Sequence, residues 1–228
     1  MITVVSSYFN DHKLLRDFWV PFVRKNERHA KFIFVDDYSL EEKAIDILGP
    51  EKIPNVSLYY VTEDKKFNSH GARNLGVSES STNIVLMTDI DAMPVDGYLK
   101  RIKREKGNFL FWPVWEGGGR YHGTATPNTF TVERDKFVAI KGYDEECSGP
   151  GGYGGDYWTR NNYINVYQPR LIREGAVHFL EEYNGERLDN KTTDRKRDAN
   201  LKQMVYERNA RRDWFNKPWL DFSWERLL

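Results

Sequence analysis

The chain has 228 residues, and 34 Lys and Arg balance 34 Asp and Glu to a formal charge of zero. The length suits one domain. Charge balance leaves no basic excess of the kind that nucleic-acid coating or membrane-surface binding calls for. A lone cysteine, Cys147, excludes an intramolecular disulfide and a cysteine-cluster zinc site. Phe, Trp and Tyr make up 14% of the chain, too aromatic a composition for disorder. No apolar run approaches the ~18 residues that span a bilayer, and the N-terminal segment turns polar too soon for a secretory signal. The expected setting is soluble, reducing and cytoplasmic.

In chain order, Ile2 to Tyr8 opens with a β-branched run and ends at the polar pair Asn10-Asp11, as a strand entering a loop does. Leu14, Leu15, Phe18, Trp19, Phe22 and Val23 recur at the spacing of one helix face. Phe32 to Val35 predicts a buried strand stopped by Asp36-Asp37, and Val56 to Val61 a third strand. His70 to Ser78 predicts a helix, and Asn83 to Thr88 a fourth strand that ends at Asp89. This alternation predicts an α/β sheet with parallel strands, whose ligands bind beyond the carboxyl ends of the strands. Both acidic clusters fall at those ends.

The second half is less regular. Phe109 to Trp115 reads as one strand before a triple-glycine break at 117–119. Asn128 to Val132 reads as another strand and Arg134 to Ile140 as a short helix. Glycines crowd residues 149–155, and a helix is predicted near Ala199 to Arg211. From Glu186 to Lys217 there are ten Lys/Arg against six Asp/Glu, a basic stretch suited to a lid over a bound anion or to a solvated tail. No internal repeat stands out.

Several residues carry candidate chemistry. In Asp89-Ile90-Asp91, extended backbone would aim both carboxylates to one side, where they can hold a hard divalent cation. His178 can complete such a site, in a nitrogen–oxygen set suited to Mn2+ more than Mg2+. Asp36 and Asp37 can accept hydrogen bonds from a nucleoside, or simply close an Asx-turn or cap a helix. Asp156, after the glycines, can act as a general base. Tyr153, Trp158, Trp112 and Trp115 offer faces on which a sugar can stack.

Taken together and in order, these elements resemble the nucleotide-sugar glycosyltransferases of the GT-A fold, especially the family-2-like group. Val35-Asp36-Asp37-Tyr38-Ser39 resembles its V-D-D-x-S element. Residues Asn68 to Gly76 resemble its N-x-G-x-x-x-A-R-N-x-G segment with the glycine displaced, and Asp89-Ile90-Asp91 its D-x-D. Lys141-Gly142-Tyr143-Asp144-Glu145, followed by Gly152 to Asp156, resembles the G-(F/Y)-D-E … G-W-G-G-E-D region of galactosyl- and N-acetylgalactosaminyl-transferases. There the family's E-D pair is Asp156-Tyr157 and its Trp is Tyr153.

The resemblance implies a single GT-A domain with a mixed, mostly parallel sheet flanked by helices. Residues 1–95 would bind the nucleotide-sugar, 96–185 would form the acceptor and catalytic lobe, and 186–228 a basic lid or tail. It implies a metal-dependent hexosyl-type transferase taking a sugar from a nucleotide-sugar, most simply a UDP-sugar, to a hydroxyl acceptor. Asp36 or Asp37 and Arg73 would hold the nucleoside, and Asp89, Asp91 and His178 the metal. Asp156 would take the acceptor's proton in an inverting displacement, with a retaining outcome still open. Two other classes stay in view. A sugar nucleotidyltransferase would show a Gly-rich basic phosphate loop near the first strand, where this chain has Ser6 to Asn10. A non-catalytic carbohydrate-binding protein would have no use for Asp89, Asp91 and His178 together.

Overall fold

The computed structural model describes residues 1–66, 68–116, 125–126, 128–148, 155–180, 182–183, 186–187, 207 and 217–228. The chain opens with β1 (Ile2–Tyr8) and a helical run of α1 (His12–Leu14), a π turn (Leu15–Trp19) and α2 (Val20–Asn26). Then come β2 (Ala30–Asp36), α3 (Ala44–Glu51), β3 (Val56–Val61), α4 (Ser69–Ser78), β4 (Ile84–Thr88), β5 (Ala92–Pro94) and α5 (Tyr98–Arg104). Strands β6 (Phe109–Phe111), β7 (Val114–Glu116) and β8 (Phe130–Glu133) lead to α6 (Arg134–Ala139), a 3-10 turn (Glu145–Cys147) and α7 (Gly155–Tyr167). Short strands close the chain: β9 (Arg170–Ile172), β10 (Ala176–Phe179), β11 (Glu182–Tyr183), β12 (Glu186–Arg187) and β13 (Trp224–Arg226).

The central sheet has six strands in the order β13-β3-β2-β1-β4-β8. The middle four are parallel, and β8 and β13 run antiparallel at the two edges. Parallel strands are covered on both faces and so read as continuous apolar runs. Within those runs the period of two sorts side chains between two cores. Phe32, Phe34 and Leu86 join the helices α1 to α3 on one face, while Ile33, Val35, Val85 and Met87 join α4 and α6 on the other. Helix α4 lies directly on β1. A Cβ at Gly76 would stand 2.4 Å from Val5 Cγ1, so only glycine permits that approach.

From β1 the chain steps outward to β2 and β3, then returns to place β4 on the other side of β1. Strand order therefore reverses between β1 and β4, and in open α/β sheets that crevice is where ligands bind. The predicted first four strands and their helices are present, with α3 an addition. The expected single strand from Phe109 to Trp115 is two. Pro113 has no N–H to donate to a ladder, so β6 pairs with β9 and β7 pairs with β10 on either side of it. The helix expected near Ala199 to Arg211 lies outside the described residues except for Glu207.

Candidate functional site

The Asp89-Ile90-Asp91 segment is a turn and not the extended backbone expected from the sequence. The Ala92 N–H donates to the Asp89 carbonyl at 3.1 Å. Ile90 is buried in the core, and its carbonyl accepts the Trp19 indole N–H at 2.7 Å. The π turn sets the helix phase that brings Trp19 there. From the far side the Leu180 N–H donates to the Asp91 carbonyl at 2.8 Å. With its middle residue sunk and its backbone held from both sides, the turn presents its two aspartates at the switch point.

Arg73 meets them from α4. Its side chain is 3% exposed and bridges two carboxylates, pairing with Asp89 and, at 2.5 Å, with Asp156. Asp89 also accepts the Asn128 side-chain amide. The Arg73 guanidinium lies over the Tyr143 ring, 5.5 Å from its centroid. Burial works against its charge, but Asp156, Tyr143 and Asp91 outweigh that cost and hold its pKa above the ordinary arginine value. Two acids predicted for different roles, Asp89 on the donor side and Asp156 on the acceptor side, thus share one buried cation.

Asp156 opens α7 beside His70. A Cβ at Gly155 would fall 2.4 Å from His70 Nε2, so glycine is what lets the helix start against the imidazole. Burial lowers the His70 pKa to about 4 and so keeps the ring neutral, with Asp156 acting in the opposite direction. Asn74 clamps the later motif to the same helix. It donates to the Tyr143 carbonyl (3.0 Å) and Glu145 Oε1 (2.8 Å) and accepts from the Tyr143 N–H (2.8 Å). Glu145 also receives the N–H groups of Leu220 (2.8 Å) and Asp221 (3.1 Å), and Asp144 caps the 3-10 turn by accepting from the Glu146 N–H.

Asp36 spends both carboxylate oxygens on backbone, accepting from Ser39 N–H (2.9 Å) and Ala44 N–H (2.8 Å). It thereby closes the loop from β2 into α3. Asp37 accepts from the Asn68 N–H at 2.7 Å, tying that loop to the start of α4. Burial raises the pKa of both, that of Asp37 to about 7. Their local role is the turn and cap chemistry that short acidic pairs commonly perform.

His178 lies in β10, opposite Met93 of β5 and one diagonal step along the ladder from Asp91; its side chain is exposed. Among the described residues no group of three or more His, Cys, Asp or Glu side chains is spaced to hold a metal ion. Asp89 is engaged by Arg73, and Asp91 and His178 stand with it as the candidate cation ligands.

Of the aromatic residues, Trp112 carries the Arg160 guanidinium 3.9 Å from its centroid, and Trp158 packs edge-on to the exposed Tyr157. Tyr153 and the Trp115 side chain lie outside what the structure describes. Sequence reasoning assigned no role to His70, Asn74, Tyr143 or Arg160, although the first three fall within the motifs named above. One signal for the first two was present. His70, Arg73, Asn74 and Val77 follow the i, i+3, i+4, i+7 spacing of a buried helix face, yet three of the four are polar.

No protein family's sequence profile matches the chain, and no curated protein matches it in sequence. Solved structures do match in fold. TarS 1-349 of S. aureus aligns with a TM-score of 0.64 at 13% identity, over 79% of this chain and 60% of that one. The same protein in complex with UDP-GlcNAc gives 0.63 at 12% identity, over 78% and 57%. The mannosyltransferase PcManGT from Pyrobaculum calidifontis, in complex with GDP-Man and Mn2+, gives 0.56 at 15% identity, over 81% and 58%. This chain therefore spans about 60% of the length of these structures. The fold they share with it is the mixed α/β fold of the GT-A glycosyltransferases.

Proposed function

We propose that the chain is a glycosyltransferase that moves a hexosyl group from a nucleotide-sugar, a UDP-sugar in the simplest case, to a hydroxyl acceptor with inversion. One observation carries the reading. Asp89 and Asp156 converge on the buried Arg73 guanidinium at the β1/β4 switch point, in a fold whose solved neighbours hold UDP-GlcNAc and GDP-Man. The nucleoside would lie over the ends of β1 to β3, against Asp37 and the loop closed by Asp36. Arg73 would supply fixed positive charge facing the diphosphate as the leaving group gathers charge. Asp156 would take the acceptor's proton, with Tyr153, Trp158, Trp112 and Trp115 lining the acceptor side. A divalent cation, Mn2+ by donor type, would be held by Asp91 and His178 with Asp89 as the third candidate ligand, and would supply charge to neutralise the diphosphate. The basic stretch after Glu186 would serve as a lid.

Calorimetry against a panel of nucleotide-sugars, with and without Mn2+, tests donor and metal together. The expected result is metal-dependent binding that Asp91→Ala abolishes. If no nucleotide-sugar binds under either condition, the transferase reading fails. Asp156→Asn is expected to keep donor binding and lose transfer; full activity in that variant places the base elsewhere.

A further inference from the structure

A second charged cluster lies one helical turn beyond Asp156. Arg160 on α7 is 3% exposed, with its guanidinium 3.9 Å from the Trp112 ring centroid. Arg173, exposed in the loop after β9, brings a second guanidinium to 4.8 Å from the same centroid. The ring between them is fixed. The Trp112 backbone N–H donates to the Ile172 carbonyl at 2.9 Å, and its indole N–H to the Thr126 carbonyl at 2.5 Å. That carbonyl also accepts from Arg160 Nη1 at 3.4 Å.

Two cations gathered on one ring repel. Burial already lowers the Arg160 pKa from the ordinary arginine value, and Arg173 adds to the lowering while Tyr143, Asp156 and Tyr157 oppose it. Glu174, the neighbour of Arg173, turns instead to Arg101 at 3.1 Å, and Arg173 makes no ion pair among the described residues. A guanidinium stacked on a ring presents its N–H donors at its edge, and such edges match the oxygens of phosphate and carboxylate. The position selects between two sources of such an anion. The cluster stands with β6, β9 and the segment before β8, by the β8 edge of the sheet, whereas Asp36 and Asp37 end β2, three strands in from that edge.

We propose that Arg160 and Arg173, held on Trp112, form a subsite for a phosphate or carboxylate group carried by the acceptor. The substrate is then an anionic hydroxyl compound whose charged group docks one helical turn from Asp156. This rests on the transferase reading above, and its test is kept separate from donor binding.

The probe is glycerol 3-phosphate, with glycerol as the neutral control, followed by NMR of the arginine side-chain Nε–H signals in wild type and Arg173→Gln. Arg173 is exposed, so its replacement leaves the fold intact. The phosphate ester is expected to shift the Arg160 and Arg173 signals, glycerol to leave them unmoved, and Arg173→Gln to weaken binding about tenfold, as loss of a charge-assisted hydrogen bond does. Saturating UDP is expected to leave that affinity unchanged. Equal shifts from glycerol, or an unchanged affinity in Arg173→Gln, overturn the subsite. Competition by UDP also overturns it, because the anion pocket then belongs to the donor diphosphate. Nucleotide-sugar calorimetry on the same protein reads the donor site independently, so its failure is distinguishable from failure of the subsite.

Discussion

Asp37 makes the stability of this fold fall as the medium becomes less acidic. Its carboxyl is buried at the end of β2, and burial raises its pKa from 3.8 to about 7 although the Asn68 N–H favours the charged form. Between those values the folded chain keeps a proton that the unfolded chain has already released. Unfolding then becomes easier by about 1.4 kcal/mol per pH unit. Across the whole interval the loss comes to about 4 kcal/mol, complete above the folded pKa and absent below the unfolded one. Asp37→Asn removes the titration while keeping an oxygen to accept from Asn68. Urea unfolding of both proteins at pH 5 and pH 8, followed by tryptophan fluorescence, isolates the effect. Other titrating groups largely cancel in the difference between the two proteins. The variant is expected to gain on wild type by about 3 kcal/mol between the two pH values, since only the roughly two units from pH 5 to the folded pKa contribute; an equal difference at both would show that Asp37 is ionised in the fold and refute the argument.

Other substitutions test how the site is held. Arg73→Ala leaves Asp89 and Asp156 facing each other in a buried pocket and is expected to cost about 3–5 kcal/mol in chemical denaturation. Gly76→Ala pushes a methyl into Val5 and is expected to cost about 1–3 kcal/mol by the same assay. Glu145→Ala removes the acceptor of the Leu220 and Asp221 N–H groups. Hydrogen exchange at those two amides is expected to quicken well before exchange in β1 or β2.

The parallel core was legible because it is built from local signals. Phe32 to Val35 and Ile84 to Thr88 are apolar on both faces, and an acid stops each run. Asp36, Asp37, Asp89 and Asp91 follow the strand ends, so their placement beyond the sheet could be read directly. What escaped the reading depends on contacts distant in sequence. Asn74 meets Tyr143, Arg73 meets Asp156, and β13 closes the edge beside β3 from the far end of the chain. The division of Phe109 to Trp115 depends on which partner strand each half finds, and β9 and β10 come some sixty residues later. Arg73 stood out in the sequence through the motif it shares with glycosyltransferases, but an arginine on a helix carries no mark of the carboxylates it meets, here Asp89 and Asp156.

Trp19 gives the protein a built-in optical gauge. Its indole N–H is fastened to the carbonyl between the two aspartates, and its ring is wedged edge-on between Phe22 and Phe34. Any ligand that pulls the Asp89–Asp91 turn toward itself must lengthen that bond or drag the ring along, and indole emission responds to both. A chain in which the other six tryptophans are replaced by phenylalanine would report occupancy of the crevice without a label, from a residue that no substrate touches.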